Sequence, residues 1–331
     1  MPEHEVPVAK EAAEPWTQLW MQTARPAWDL GGEDPVAWAL RGHWQDQWGW
    51  LQSRRHILDA GSGPAVLARL LQPLVRSPDV PTDTVWTCVD QALIDVSSLS
   101  DLPMVQGVFG RPWESLPPPA VGASALVSNY GLEYVSRDHL VRTCASWLAP
   151  GGRLHAVMHA RGSVIDQQSA QGLADLNLIL DELGFPERVA ALLEARVAAP
   201  SEPTARMMHG VEVRDAFNAC VNSMKMQLDE RGARQGALIE WLMVARDLVQ
   251  TVSEGTLQAT LDRLQRLRAA YDAERSRLQA MRACALSQSD LEVLGQQLVR
   301  DGFQGVQLGS LEASTGPVAW VLEATRAQGS T

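Results

Sequence analysis

The stretch "HILDAGSGPAVLARLL", residues 56–71, decides the fold. A short apolar run, His56 to Asp59, reads as a strand that ends on an acid. A turn with Gly61 and Gly63 follows, and Pro64 to Leu74 then reads as a helix. Glycine lets the backbone turn tightly and approach a ligand closely. Pro64 suits a first helical position, where its missing N–H has no partner to lose. That missing N–H also weakens a pyrophosphate site, which relies on N–H groups at the helix start. A dinucleotide fingerprint G-x-G-x-x-G asks for glycine where Val66 stands, and no phosphate-binding G-x-x-x-x-G-K-[ST] is present. Nicotinamide, flavin and ATP readings are therefore disfavoured.

Outward from this turn the chain alternates strand and helix. Val85 to Val89 is a second strand ending in Asp90, Met104 to Val108 a third, and Ser124 to Ser128 a fourth. Ser136 caps a helix to about Leu148, and Pro150-Gly151-Gly152 turns into a fifth strand, Arg153 to His159. Such alternation predicts a parallel sheet with helices on both faces. The rhythm breaks over residues 163–285, which read as helices. One long helix is predicted over about 205–250, and a second follows a turn at Ser253-Glu254-Gly255. In that second helix Leu257, Leu264, Tyr271 and Leu278 recur every seven residues, while Arg268, Arg275 and Arg282 hold the alternate seam. Three arginines suit an antiparallel hairpin better than a two-stranded zipper. Ser289-x-x-Glu292 reads as a capping box opening a last helix that Gly302 closes. The final runs "GVQLGSLEA" and "PVAWVLEATR", joined by a short connection, are expected to pair antiparallel.

The 331 residues are 46% hydrophobic, ordinary for a folded core, and carry a formal charge of −11. That balance disfavours a nucleic-acid surface. Arginine far outnumbers lysine, as in GC-rich bacterial genomes. The four cysteines lie far apart and form no CxxC pair, so no metal site is read and a reduced cytoplasm is expected. The N-terminus lacks a signal-peptide pattern, and no apolar run is long enough for a membrane span. Residues 1–53 form an N-terminal helical segment with seven of the twelve tryptophans. Trp16 and Trp20 share one helix face, as do Trp44 and Trp48. They are read as core packing or as an aromatic lid over a ligand.

The ordered motifs carry a resemblance. "LDAGSGPAVLARL", "WTCVDQA", "ALVSNYGLEYVS" and "WLAPGGRLHAVM" are similar to the successive motifs of class I S-adenosylmethionine (SAM)-dependent methyltransferases. The resemblance covers roughly residues 54–160 and 286–327, and the SAM-binding domain it implies spans 54–162 and 286–327. It implies a Rossmann-like, doubly wound, mainly parallel seven-stranded α/β sheet with an antiparallel terminal strand, the helical insertion 163–285 and the N-terminal layer. It implies SAM as cofactor, with Asp59, Gly61 and Gly63 along its methionine part, Asp90 on its ribose, Gln91 near its adenine and Trp113 stacked on the base. The family's third glycine is Ala65 here, tolerable in a first helical turn if its φ is negative. Reacting groups belong at the carboxyl ends of the strands. That selects Asn129, Tyr130 and Glu133 after the fourth strand, and His159 and Arg161 after the fifth, with Asn129 also facing the cofactor. His159 is the candidate base. The expected activity is methyl transfer to an O or N nucleophile of a small-molecule or carrier-linked metabolite, with a homodimer through the insertion. The alternatives are a non-catalytic methyltransferase-like scaffold and, disfavoured by the turn, an NAD-linked oxidoreductase.

Overall fold

Near-continuous apolar runs make strands that are buried on both faces, and the central strands here are of that kind. A computed structural model describes residues 9–22, 33–75, 83–199, 202, 209–231 and 236–328. Trp28 and the lead before residue 9 lie outside the described residues. The chain divides into two compact units, one of residues up to 168 and from 280 onward, the other of residues 169–279.

The first unit opens with helices α1 (Ala9–Gln22), α2 (Pro35–Asp46) and α3 (Trp48–Leu51). Asp34 caps α2, its Oδ1 accepting from the N–H groups of Val36 and Ala37, with Pro35 at the first helical position. The sheet follows: β1 (His56–Ala60), helix α4 (Val66–Val75), β2 (Val85–Asp90), β3 (Val105–Phe109), β4 (Ala123–Asn129), helix α5 (Arg137–Trp147) and β5 (Leu148–His159). With β6 (Phe303–Ala313) and β7 (Gly316–Arg326) from the end of the chain, its order is β3-β2-β1-β4-β5-β7-β6. β1 to β5 pair in parallel, whereas β7 runs antiparallel to β5 and to β6. Leu58, Leu126, Leu154 and Leu322, from four different strands, are buried in one core. Leu140, Val141 and Cys144 of α5 share it with Leu291, Leu294 and Leu298 of the last helix.

Three local expectations change. α4 begins at Val66, not Pro64, because Gly63 (φ 52°) and Ala65 (φ 61°) both take left-handed backbone ahead of it. The third-glycine position therefore needs the conformation that alanine dislikes. The capping box of the last helix is Ser287 with Asp290, two residues earlier than the predicted Ser289 and Glu292. Both directions are made: Ser287 Oγ accepts from the Asp290 N–H, and Asp290 Oδ2 accepts from the Ser287 N–H at 3.0 Å. The predicted 205–250 helix is two helices, with Gly236 at φ 115° heading the second.

In the second unit, helix α6 (Val164–Asn177) runs in from the first and is continued by a π-helical turn (Leu178–Glu182). Then come α7 (Phe185–Val197), α8 (Val211–Arg231), α9 (Ala237–Thr251) and α10 (Leu257–Cys284). Trp241 is its buried anchor, edge-on to Phe185 at 6.2 Å and tilted on Tyr271 at 5.3 Å. α9 and α10 lie antiparallel, Arg263 pairing with Asp247 and the Tyr271 O–H donating to Glu240. The heptad arginines meet acids, Arg268 with Glu187 and Arg275 with Asp181, so the seam is apolar on one side only. Helix α11 (Gln288–Arg300) returns the chain to the sheet. Among the described residues no helix is long and apolar enough to cross a membrane.

Candidate cofactor and acceptor site

The turn after β1 is bolted to β2. The N–H groups of Gly61 and Ser62 both donate to the Val89 carbonyl, at 2.9 and 3.1 Å. Gly61 has φ 69°, and a Cβ there would lie 2.5 Å from the Gly131 Cα, so this turn and the turn after β4 pack backbone against backbone. The Gly63 N–H donates to Asp90 Oδ2, and the Ala92 N–H donates to Asp90 Oδ1, each at 2.8 Å. The Asp90 carboxylate is thus oriented at the strand end, with lone pairs left for further donors. Burial pushes its pKa up, partly offset by those two N–H groups.

Asp59 differs. It is fully buried, and the facing Trp86 indole N–H, itself without another acceptor, stops short of a full hydrogen bond to either carboxyl oxygen. Burial pushes its pKa to about 8. The facing Trp86 indole offsets this only in part, and the nearby Asp90 charge adds to it.

β4 ends in a tight turn. Ser128 Oγ donates to the Ala60 carbonyl at 2.6 Å, tying β4 to β1. Asn129 Oδ1 accepts the indole N–H of Trp44 at 2.9 Å. Tyr130 takes φ 60° and stacks on His159, with ring centres 4.4 Å apart. Its hydroxyl is buried without a partner, and burial raises its pKa.

One crevice at the carboxyl ends of the strands is lined by Asp59, Gly61, Gly63, Asp90, Gln91, Trp113, Asn129, Tyr130 and His159. Sequence positions up to 100 residues apart therefore share one space, where ligands of open α/β sheets bind. The strand order β3-β2-β1-β4-β5-β7-β6 with β7 reversed, a glycine turn after β1 and an acid after β2 is the Rossmann-like arrangement with an antiparallel terminal strand that the sequence resemblance implied. No protein-family model matches the sequence, and no curated protein is similar to it. Solved structures with similar shape include three methyltransferases. Magnesium protoporphyrin IX methyltransferase from Synechocystis, with bound S-adenosylhomocysteine, is 9% identical over 88% of this chain and 86% of that one, at a TM-score of 0.40. Geranyl diphosphate C-methyltransferase from Streptomyces coelicolor is 15% identical over 51% and 74%, at 0.35. An N-methyltransferase from Bradyrhizobium japonicum is 14% identical over 45% and 72%, at 0.34.

In this crevice two expected residues are placed otherwise. Glu133 does not line it. The short 3-10 turn Leu132–Tyr134 tucks it inward, where Oε1 accepts the His159 backbone N–H at 2.7 Å and Oε2 stays unpartnered. Burial lifts its pKa to about 7. Glu133 therefore steadies the strand end that carries His159. Arg161 reaches the Ala285 carbonyl instead of the crevice. Trp113 both lines the crevice and packs edge-on to Trp147 at 5.9 Å in the core.

The sequence left open what the tryptophans of α1 do. Trp16 and Trp20 wall the crevice, 6.4 Å apart and nearly parallel. Trp16 also meets Tyr134 edge-on at 5.7 Å, and a Cβ on Gly63 would touch the Trp20 ring at 2.9 Å. Counting its open mouth, the crevice holds about 960 Å³. Gly131 and Trp44 also escaped sequence reading. The close glycine contact and the indole bond link segments too distant for any local pattern to reveal.

Proposed function

We propose that this chain is a SAM-dependent methyltransferase that modifies an O or N nucleophile of a small molecule. The observation that carries the reading is the buried Asp59 carboxyl, short of a full hydrogen bond, on a crevice shared with the glycine turn and the oriented Asp90 carboxylate. A buried acid so placed is costly unless a ligand supplies a donor. A ligand with a cationic end and a sugar diol supplies the complements of both acids.

When bound, SAM supplies a sulfonium methyl group; its transfer forms the C–O or C–N bond, breaks the C–S bond, leaves S-adenosylhomocysteine and releases the nucleophile's proton. Gly61 and Gly63 let backbone approach the ligand without a Cβ between them. Asp90 accepts from the ribose hydroxyls, Gln91 and Trp113 border the adenine, and Trp16 and Trp20 exclude water. His159, held by Tyr130 from one side and Glu133 through its backbone, takes the proton when the nucleophile arrives protonated. Alignment of the two reactants supplies most of the acceleration.

Calorimetric titration with SAM and with S-adenosylhomocysteine tests the reading. Both should bind, and Asp90→Ala should weaken both at least about tenfold, the loss of hydrogen bonds to a charged group. Absence of heat with monodisperse protein would overturn it. The left-handed Ala65 at the third-glycine position favours one second reading, a binding scaffold without turnover. Cofactor binding with no transfer to any nucleophile in a broad acceptor screen would select it.

A further inference from the structure

Helix α1 spans the crevice from one strand-end turn to another. Thr17 is buried, and its Oγ1 accepts the Leu93 backbone N–H at 3.0 Å, in the turn after β2 where the Ala92 N–H holds Asp90. Trp16 meets Tyr134 edge-on at 5.7 Å, in the turn after β4. Between these two footholds the Trp20 ring lies against Gly63, in the turn after β1. Whatever fills the space between Asp59, Asp90 and Tyr130 is therefore walled on this side by Trp16 and Trp20.

The helix that forms this wall is a weak one. It has 14 residues, a length at which an isolated helix is marginal in water. Pro15 stands in its interior. Proline has no N–H to give the Glu11 carbonyl one turn back, and its ring crowds that carbonyl. The helix is thus weakened immediately before Trp16, Thr17 and Trp20, the three residues that seat it. A segment of this kind keeps its helical form through docking, so undocking and local melting become one event. Neither Pro15 nor Thr17 lines the crevice.

Resting on the methyl-transfer reading, we propose that α1 is a lid that gates the cofactor. It opens for S-adenosyl ligands to enter and leave, Thr17 latches it to the turn after β2, and Pro15 sets how readily it opens. A gate differs from a fixed wall in its kinetics. A fixed wall touches the bound ligand, so a change in it alters release and affinity together. A gate lies on the path in both directions, so it alters entry and release by a common factor and leaves affinity nearly unchanged.

Two substitutions outside the crevice lining move such a gate in opposite directions. In full-length protein Pro15→Ala supplies the missing N–H, and it should slow both association and release of tritiated S-adenosylhomocysteine at least about tenfold. Thr17→Val leaves the Leu93 N–H without its acceptor and should speed both about tenfold. The Kd should stay within about threefold in both variants. Amide hydrogen exchange of residues 16–20 in the ligand-free protein should follow the same order, slowest in Pro15→Ala and fastest in Thr17→Val. In the unmodified protein it should be faster than that of β4. A release rate that changes while association does not would make α1 a fixed wall and overturn the proposal. So would α1 amides as protected as those of β4, or exchange in Pro15→Ala that is unchanged or faster. Failure of S-adenosylhomocysteine to bind any of the three proteins would overturn the methyl-transfer reading, and the exchange order would still decide whether α1 opens as a lid.

Discussion

Substituting Gly61 by alanine separates two costs that are usually confounded. Gly61 and Gly302 both take left-handed backbone, at φ 69° and 86°. An alanine at either position carries about 1–2 kcal/mol of conformational strain, partly offset by about 0.4–1 kcal/mol from a stiffer unfolded chain. At Gly302 a Cβ meets nothing within 4 Å, so the account ends there. At Gly61 the same atom would lie 2.5 Å from the Gly131 Cα. That neighbour is backbone and cannot rotate away. It is also held in place, because Ser128 Oγ bonds both the Ala60 carbonyl and the Leu132 N–H. Overpacking of this kind adds about 1–3 kcal/mol. Gly61→Ala should therefore be less stable than Gly302→Ala by about 1–3 kcal/mol. Urea unfolding followed by tryptophan fluorescence measures the difference within the right unit, since Trp241 is the one tryptophan between residues 169 and 279. Equal midpoints and slopes for the two variants would refute the claim that the two turns pack without room for a side chain.

Two further predictions concern protons. Asp59 binds its proton more tightly when folded, at about 8 against 3.8, so its contribution to stability is present in acid and is lost as pH rises from about 4 to about 8. Asp59→Asn should remove a large part of that slope in pH-dependent urea unfolding, leaving those of the same sign from Asp90, whose pKa burial also raises, and from Glu133, whose pKa rises from 4.5 to about 7. His43 runs the other way. Its Nε2 sits 2.8 Å from His155 Nε2, and burial first, then repulsion from His155, lowers its pKa from 6.5 to about 4 against the weaker pull of Glu323 and Asp46. Folded stability should therefore fall as pH drops from about 6.5 to 4. NMR titration of the His43 ring should show a neutral imidazole down to about pH 4, and a midpoint near 6.5 would sink the assigned pairing.

Much of the architecture was legible in the residue order. Strand and helix periods are local properties, and a glycine turn between an apolar strand and a helix constrains its own neighbourhood. Asp59, Asp90 and Asn129 could be placed at strand ends because strand ends fall where the apolar run stops. The antiparallel last pair followed from a connection too short for a crossover. Tertiary structure alone decided the rest. The stripe of Trp16 and Trp20 is the same whether it faces core or crevice. Ala65 is an ordinary helix residue until the packing around it imposes a positive φ. Asp59 and Asp90 look alike as strand-terminal acids, yet one is left without a full hydrogen bond and the other is gripped by two N–H groups. Glu133 and Asn129 received their partners, the His159 backbone and the Trp44 indole, from 26 and 85 residues away. Periodicity reports which face of an element is apolar. Which polar atom meets which depends on how distant elements come together, because burial and hydrogen bonding are set by spatial neighbours and not by adjacent residues.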